Sequence, residues 1–250
     1  MKSSTAYRIA ILIVLIGLLE ALCLTGRIDK LTMQPPHRMA TDLANMLVSG
    51  KLNAAIAKTM TNAAIALALA MVVGVATAAA LYRMKYAREV LDPLFATYYA
   101  IPVFAFYPLL IVVFGLGDLP QILIGFMLAV VAVIVNTLNG LDRVPRVLFK
   151  TARVHRMSGF EAGTRIMLPS AAPYILTGAK LAVAYALIGI IGAEFIMSRG
   201  GMGYEISFAY NNFDNATMYP LIVLILAVSI SVNALLAAWE RRIMQRRGRA

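Results

Sequence analysis

The sequence is poor in charged residues and in cysteine, and each shortage excludes a class of protein. Charged residues make up only 14% of the 250 residues, whereas 61% are hydrophobic. A soluble domain usually contains about 25% charged and about 45–50% apolar residues. The single cysteine, Cys23, excludes an intrachain disulfide, a cysteine metal cluster and a C-x-x-C redox motif. The composition therefore indicates a membrane protein rather than a soluble protein with a large water-exposed surface.

Nucleotide-binding and catalytic motifs are also missing from the sequence. There is no G-x-x-x-x-G-K-[ST] phosphate loop, so we expect that this chain does not hydrolyse ATP. There is no H-E-x-x-H pair, and His37 and His155 lie far apart in polar segments. We expect no catalytic residue, no metal and no cofactor on this chain. The net charge of +11 does not indicate a nucleic-acid partner, because the basic residues lie in short segments between apolar runs.

The sequence instead contains several long runs of apolar residues. Each can cross roughly 30 Å of hydrocarbon as a helix, the conformation that satisfies backbone polar groups within one segment. We predict an all-α polytopic membrane helix bundle with about six transmembrane helices. The predicted spans are 8–24, 56–82, 93–115, 120–141, 175–197 and 218–239. The predicted connections are 25–53, 83–92, the short turn at 115–118, 142–174 and 198–217.

The distribution of lysine and arginine predicts the orientation of this bundle. Sixteen of the 23 basic residues lie in the N-terminus, in two of the connections and in the C-terminal tail. With six spans these segments share one side of the membrane, which basic residues mark as cytoplasmic, so both termini are predicted inside. We divide the chain into an N-terminal helix with an extracytoplasmic segment (1–55), a membrane core (56–240) and a basic cytoplasmic tail (241–250).

The connection at 142–174 is long, and long connections are usually functional. Its stretch from Arg156 to Arg165 can form a short amphipathic helix, and it ends in Leu168-Pro169 followed by Pro173. This pattern resembles the cytoplasmic EAA loop of binding-protein-dependent permeases, the membrane subunits of type I ABC importers. The chain departs from that pattern at two positions, with Lys150 in place of the family's Glu and Arg156 in place of its Gly.

Three further motifs occur in the order that this family shows. They are Asn136-Thr-Leu-Asn-Gly140 with Pro145, Tyr107-Pro-Leu-Leu with Phe114-Gly-Leu-Gly, and Ala193-Glu194 with Gly200-Gly-Met-Gly-Tyr204. Together they resemble the sulfonate/taurine/nitrate-type branch of the family, over about residues 56–240.

The resemblance implies the permease subunit of an ABC importer with the type I permease fold, in the bacterial cytoplasmic (inner) membrane. It implies two copies of an ATPase subunit that uses the ATP, an extracytoplasmic solute-binding protein and a second permease copy, as a homodimer in contact with membrane lipid. The implied ATPase-coupling residues are Arg153, Arg156, Gly159, Phe160, Glu161, Arg165, Leu168 and Pro169. A basic loop on anionic headgroups also explains the arginines, but it does not explain the two prolines.

Four residues are candidates for the solute pathway or its gate: Glu194, Pro102, Tyr107 and Pro108. A carboxylate in an apolar run is costly unless it is paired or hydrated. Glu194 therefore either forms hydrogen bonds at the outer gate or lines the pathway. Each proline favours a kink, which either serves packing alone or turns free carbonyls toward a solute.

Two other classes of protein are competing interpretations. An ion-coupled secondary transporter predicts acidic residues at the membrane midplane and repeats between the two halves of the chain. The acidic residues in the apolar runs are few and lie near the ends of the runs. A membrane-embedded enzyme requires a catalytic constellation that the sequence lacks.

Overall fold

A computed structural model describes residues 2–29 and 32–247, which are helical apart from short connections. The α-helices are α1 (Lys2–Leu24), α2 (Pro36–Val48), α3 (Asn53–Arg83), α4 (Lys85–Thr97), α5 (Tyr107–Phe114), α6 (Asp118–Asp142), α7 (Arg146–Val154), α8 (Gly159–Ala162), α9 (Leu168–Met197), α10 (Met202–Asn211) and α11 (Asn215–Arg247). Short 3₁₀ turns occupy Tyr98–Ala100 and Val103–Phe106, and a π-helical turn occupies Gly163–Met167. Within the predicted N-terminal segment and tail, residues 1, 30–31 and 248–250 lie outside the described ranges.

All six predicted spans fall on helices. Four helical stretches are long and apolar enough to cross a membrane: Asn53–Arg83, Asp118–Asp142, Gly159–Ile196 and Asn215–Ala238. A fifth crossing is the pair Tyr86–Ala100 and Val103–Phe114, whose two halves meet at an angle of 87°. The apolar part of α1, Ala10–Leu24, is shorter than these. The all-helical membrane bundle of about six spans is thus confirmed.

The bend in the third span lies at one of its three prolines. Ile101 is extended, with ψ of 125°, and Pro102 follows it before helical structure resumes at Val103. Residues before proline are biased toward this extended conformation. Pro108 instead lies in the first turn of α5, where a missing backbone N–H leaves no hydrogen bond unmade. The kink predicted at Pro102 is therefore present, whereas the prediction of a kink at Pro108 was wrong.

The core of the bundle is formed by α3, α6 and α9, which pack closely along their small residues. Ala66 and Ala70 of α3 are fully buried in this cluster. A Cβ atom added at Gly189 would lie 2.7 Å from the Cα of Gly125, so the backbones of α6 and α9 are in contact there. Small residues allow such approach between membrane helices.

Much of the predicted loop structure is helical. The segment 25–53 contains α2, the segment 198–217 contains α10, and only Met84 separates α3 from α4. The loop predicted at 142–174 holds α7 and α8 and the start of α9. Apart from α8, which lies within the helix predicted from Arg156 to Arg165, these helices were missed because they are short or amphipathic, so no long apolar run marks them.

The three core helices define two ends of the bundle. Thr59 of α3, Asp118 of α6 and Glu194 of α9 lie at what we term the Glu194 end. Arg83, Asp142 and Gly159 lie at the opposite end, which we term the Arg83 end. Helix runs without interruption from Gly159 through the π turn to Met197, and Gly159 lies roughly 50 Å of helix from Glu194 at 1.5 Å per residue.

Candidate functional site

A capping box fixes the start of the helix at the Arg83 end. The Ser158 hydroxyl accepts from the backbone N–H of Glu161 at 3.2 Å, and the Glu161 carboxylate accepts from the N–H of Ser158 at 2.9 Å. Arg156, just before this cap, has a φ of 51° and ends the turn that follows α7. The amphipathic helix predicted from Arg156 therefore begins three residues later, at Gly159, because Ser158 satisfies its first free N–H groups.

The residues predicted to couple to an ATPase form one surface, which we term the coupling surface and which extends from Arg153 to Pro169. Arg153, Arg156, Phe160 and Arg165 are exposed, and the Phe160 side chain is 74% accessible to solvent. Glu161 instead belongs to the capping box. The surface is thus basic around an exposed aromatic ring.

Two apolar residues at this end were not among the predicted coupling residues. Val147 and Val154, at the two ends of α7, are both largely exposed. They are seven residues apart, so they lie on one face of α7. That spacing was visible in the sequence, but it only gains meaning once α7 is known to be a helix.

The coupling surface is anchored to α3. Arg83 Nη2 donates to the Gly159 carbonyl at 2.7 Å. A groove of about 300 Å³ lies between α3 and the coupling surface, and its lining includes Arg83, Phe160 and Leu168. Pro169 is exposed and lies directly after the π turn, where α9 begins.

At the opposite end, Glu194 is buried with no solvent exposure and holds three helices together. The Thr59 hydroxyl donates to its carboxylate, with Oγ1 2.9 and 2.8 Å from the two oxygens. The backbone N–H of Gly203 donates to the same carboxylate at 3.0 Å, and that of Met202 donates to Thr59 Oγ1 at 2.8 Å. We term Thr59, Glu194, Met202 and Gly203 the Glu194 cluster; it joins α3, α9 and α10.

The glycines before and within α10 make this contact possible. Gly201 has a φ of 105°, and a Cβ atom there would lie 2.2 Å from Glu194 Cδ. A Cβ atom at Gly203 would lie 2.2 Å from the Ile191 carbonyl oxygen. Glu194 and the glycine motif that follows it in the sequence are therefore in direct packing contact.

A second polar chain lies beside the cluster. Asn62 Nδ2 donates to Gln121 Oε1 at 3.3 Å, and Gln121 Nε2 donates to Ser198 Oγ at 2.9 Å. Lys58 and Asp118 form an ion pair of 2.9 Å nearby. None of these residues was predicted as functional, although Lys58, Asn62 and Gln121 stand out as polar residues near the ends of apolar spans.

The other three candidates for the solute pathway lie in different surroundings. Tyr107 is only 1% exposed and packs with Val103, Ile124 and Ala193. Ala193 directly precedes Glu194 in the sequence. Pro102 and Pro108 are exposed on the surface of the chain. The structure thus brings Tyr107 near the Glu194 cluster and leaves both prolines outside it.

Comparison with known families agrees with this architecture. The sequence profile of the family described as "Binding-protein-dependent transport system inner membrane component" matches residues 70–245. The chain belongs to this family. It is a transport family rather than an enzyme family, and membership places this permease among inner-membrane proteins that work with ATPase and solute-binding partners.

Similar permeases include a probable ABC transporter permease protein of Brucella abortus strain 2308, 29% identical over 230 residues, which are 92% of this chain and 88% of that protein. The nitrate import permease protein NrtB of Synechococcus elongatus is 30% identical over 183 residues, 72% of this chain and 66% of that protein. The bicarbonate transport system permease protein CmpB of Synechococcus elongatus is 29% identical over 187 residues, 74% of this chain and 67% of that protein.

The fold of this permease also occurs in solved structures. The MetNI methionine ABC transporter in inward-facing conformations matches with a TM-score of 0.61 and 16% identity, over 77% of this chain and 94% of that one. An amino acid ABC transporter with histidines matches with a TM-score of 0.61 and 15% identity, over 80% and 97%. The predicted ABC importer permease, with the type I permease fold, is confirmed.

Proposed function

We propose that this permease works as one of two identical copies, binds two ATPase subunits through the coupling surface and passes its solute between the copies. The observation that carries the proposal is Phe160, 74% exposed at the start of an unbroken helix, in a stretch of chain whose Arg153 and Arg165 are exposed as well. An aromatic anchor with arginines around it is a typical centre for a protein interface.

The uninterrupted helix supplies the mechanism. A displacement of α8 by an ATPase subunit moves the N-terminal part of the same helix, because the π turn joins α8 to α9 without a break. The contact between Arg83 and Gly159 carries part of the movement to α3. Both α3 and α9 reach the Glu194 cluster, where Thr59 and Glu194 are hydrogen-bonded. Movement of the Arg83 end is therefore transmitted to this polar contact at the opposite end of the bundle.

The charge distribution supports an orientation. The basic Arg83 end lies in the cytoplasm, where ATP and the ATPase subunits are, and both termini lie on this side. The Glu194 end then faces outward, toward the solute-binding protein. There α10 presents exposed aromatic residues, among them Phe208, Tyr210 and the neighbouring Phe213.

The chain itself acts as a conduit and binds no cofactor, since ATP is used by the partner subunit. Glu194 forms the outer gate contact, with Tyr107 packed behind it. An ion-coupled transporter would hold its carboxylate at the midplane, whereas Glu194 lies at the end of α9 and is occupied by Thr59 and Gly203.

The test is co-purification from the native host in mild detergent, with every associated chain identified. We expect an ATPase subunit to co-purify with the parent protein. Replacing Arg153, Phe160 and Arg165 together by glutamate should release the ATPase, because the substitutions reverse the charge of the interface and remove its anchor.

The matched control is Arg38→Glu, at an arginine of α2 that is also exposed and lies at the other end of the bundle. It should retain the ATPase. Retention by the triple variant, or release by the control as well, would contradict the assignment of the coupling surface.

A further inference from the structure

A groove of about 470 Å³ lies between α4, α6 and α9, apart from both the coupling surface and the Glu194 cluster. It extends from the middle of the bundle toward the Arg83 end and is open along one side. Its volume is within the range of small-molecule sites. The lining combines aromatic rings, side-chain amides and charged groups: Arg88, Asp92, Tyr99, Asn136, Asn139 and Tyr185.

The cation in this groove is already neutralised. Arg88 Nη1 and Nη2 bind the two Asp142 oxygens at 2.7 and 2.5 Å, and its Nε lies 3.4 Å from Asp92 Oδ2. Arg88 is the only cation among the lining residues that the structure describes. Two carboxylates against one guanidinium leave a local charge of −1, which disfavours an anionic solute.

The aromatic residues form a platform at the other end of the groove. The rings of Tyr99 and Tyr185 stack with centroids 5.1 Å apart at 25°, and Tyr98 meets Tyr99 edge-on at 5.8 Å. The Tyr98 hydroxyl donates to the Met127 carbonyl at 2.9 Å, which fixes this corner. Tyr99 remains 45% exposed, so the stack offers a ring face to a planar or cationic group.

The amides between these two regions offer hydrogen-bond acceptors. Asn136 Nδ2 donates one of its two hydrogens to the Ala132 carbonyl at 2.8 Å, which leaves its Oδ1 as an acceptor and its second N–H as a donor. Asn139 is exposed, and its side chain has no hydrogen-bond partner within the described residues. Acceptor oxygens next to a net negative charge suit a ligand that donates N–H groups.

We propose that this groove is a solute-binding subsite for a small planar molecule that carries N–H donors and no negative charge, such as an aromatic amide or amidine. The proposal rests on the function proposed above, since it identifies what that permease carries. It separates this chain from the relatives named for nitrate and bicarbonate, because the excess negative charge at Arg88 disfavours those anions in this groove.

The test uses the complete transporter, purified with its ATPase, and three probes of one shape and different charge. Benzamidine is cationic, benzamide is neutral and benzoate is anionic. We expect benzamidine and benzamide to raise the unfolding temperature and to bind in equilibrium dialysis, whereas benzoate and nitrate do neither. Asp92→Asn should weaken benzamidine binding and leave benzamide binding unchanged.

Substitutions in the platform localise the binding. Tyr99→Ala and Tyr185→Ala should each weaken benzamidine binding, by up to roughly tenfold, because they remove an aromatic stack. Tyr185→Phe keeps the ring and should retain most of the affinity even if the alanine variant is unstable. The matched control is Tyr86→Ala, a tyrosine of α4 that is 85% exposed and lies outside the groove.

Binding of benzoate or nitrate that depends on Tyr99 would overturn the proposal. So would the absence of benzamidine binding in a preparation that retains its ATPase, an outcome that leaves the permease function intact. Loss of the ATPase from the parent protein, in contrast, would count against the proposed function and not against the groove alone.

Discussion

At the scale of single residues, Gly201 has no room for a side chain. Its φ of 105° is strained for any other residue, and a Cβ atom there would overlap the Glu194 carboxyl. We therefore expect Gly201→Ala to destabilise the protein by about 1–3 kcal/mol, through overpacking and backbone strain. The measurement is the free energy of unfolding or the midpoint of thermal unfolding in detergent.

The neighbouring Gly200 is the control for this prediction. A Cβ atom there would contact only the flexible Lys58 side chain, at 3.6 Å. Gly200→Ala should therefore leave stability almost unchanged. If the two substitutions lowered the free energy of unfolding equally, the contact with Glu194 would not be the reason why position 201 requires glycine.

The sequence predicted part of the Glu194 cluster. A carboxylate in an apolar run and a glycine motif soon after it are both visible along the chain. Thr59 was not predicted, because it lies 135 residues before Glu194 and only the packing of α3 against α9 brings them together. A hydroxyl in an apolar helix gives too weak a signal by itself, since it can also bond to its own backbone.

At the scale of elements, the capping box at Ser158 decides where the long helix begins. We expect Ser158→Ala to cost about 1 kcal/mol at this helix start. Amide hydrogen exchange at residues 159–162 should then be faster by roughly fivefold.

Ser158→Asp is the control, because aspartate also accepts a hydrogen bond from the third residue of a helix. Its exchange rates at 159–162 should stay close to those of the parent protein. Unchanged exchange in the alanine variant would mean that the contact between Arg83 and Gly159 alone holds the helix start.

The membrane-spanning elements were predictable, and the short ones were not. Hydropathy marks α3, α6, α9 and α11 because each keeps apolar residues on all sides over a length that spans a bilayer. In contrast, α2, α7 and α10 have 13, 9 and 10 residues and lie within polar or glycine-rich segments. The helices α2 and α10 are stabilised by packing against longer helices, α11 for the first and α9 and α11 for the second, and the order of residues along the chain does not show such contacts.

At the scale of the whole molecule, three tightly packed helices connect two chemically different ends. The Arg83 end is basic, exposed and suited to a partner protein, whereas the Glu194 end contains a buried carboxylate that is hydrogen-bonded internally. Close backbone contact between α6 and α9 at Gly125 and Gly189 makes this core stiff. A displacement at one end is therefore carried along the helices rather than absorbed between them.

The central claim is that the coupling surface contacts the ATPase. Its most direct test places a cysteine at Phe160 and treats native membranes with a crosslinker that joins thiols to amines. The background is low, because Cys23 is the only cysteine of the chain and is 3% exposed. The control is Phe213→Cys, a phenylalanine that is 91% exposed near α10. The account predicts a permease–ATPase adduct from Phe160→Cys and none from Phe213→Cys; an adduct from the second variant alone would contradict it.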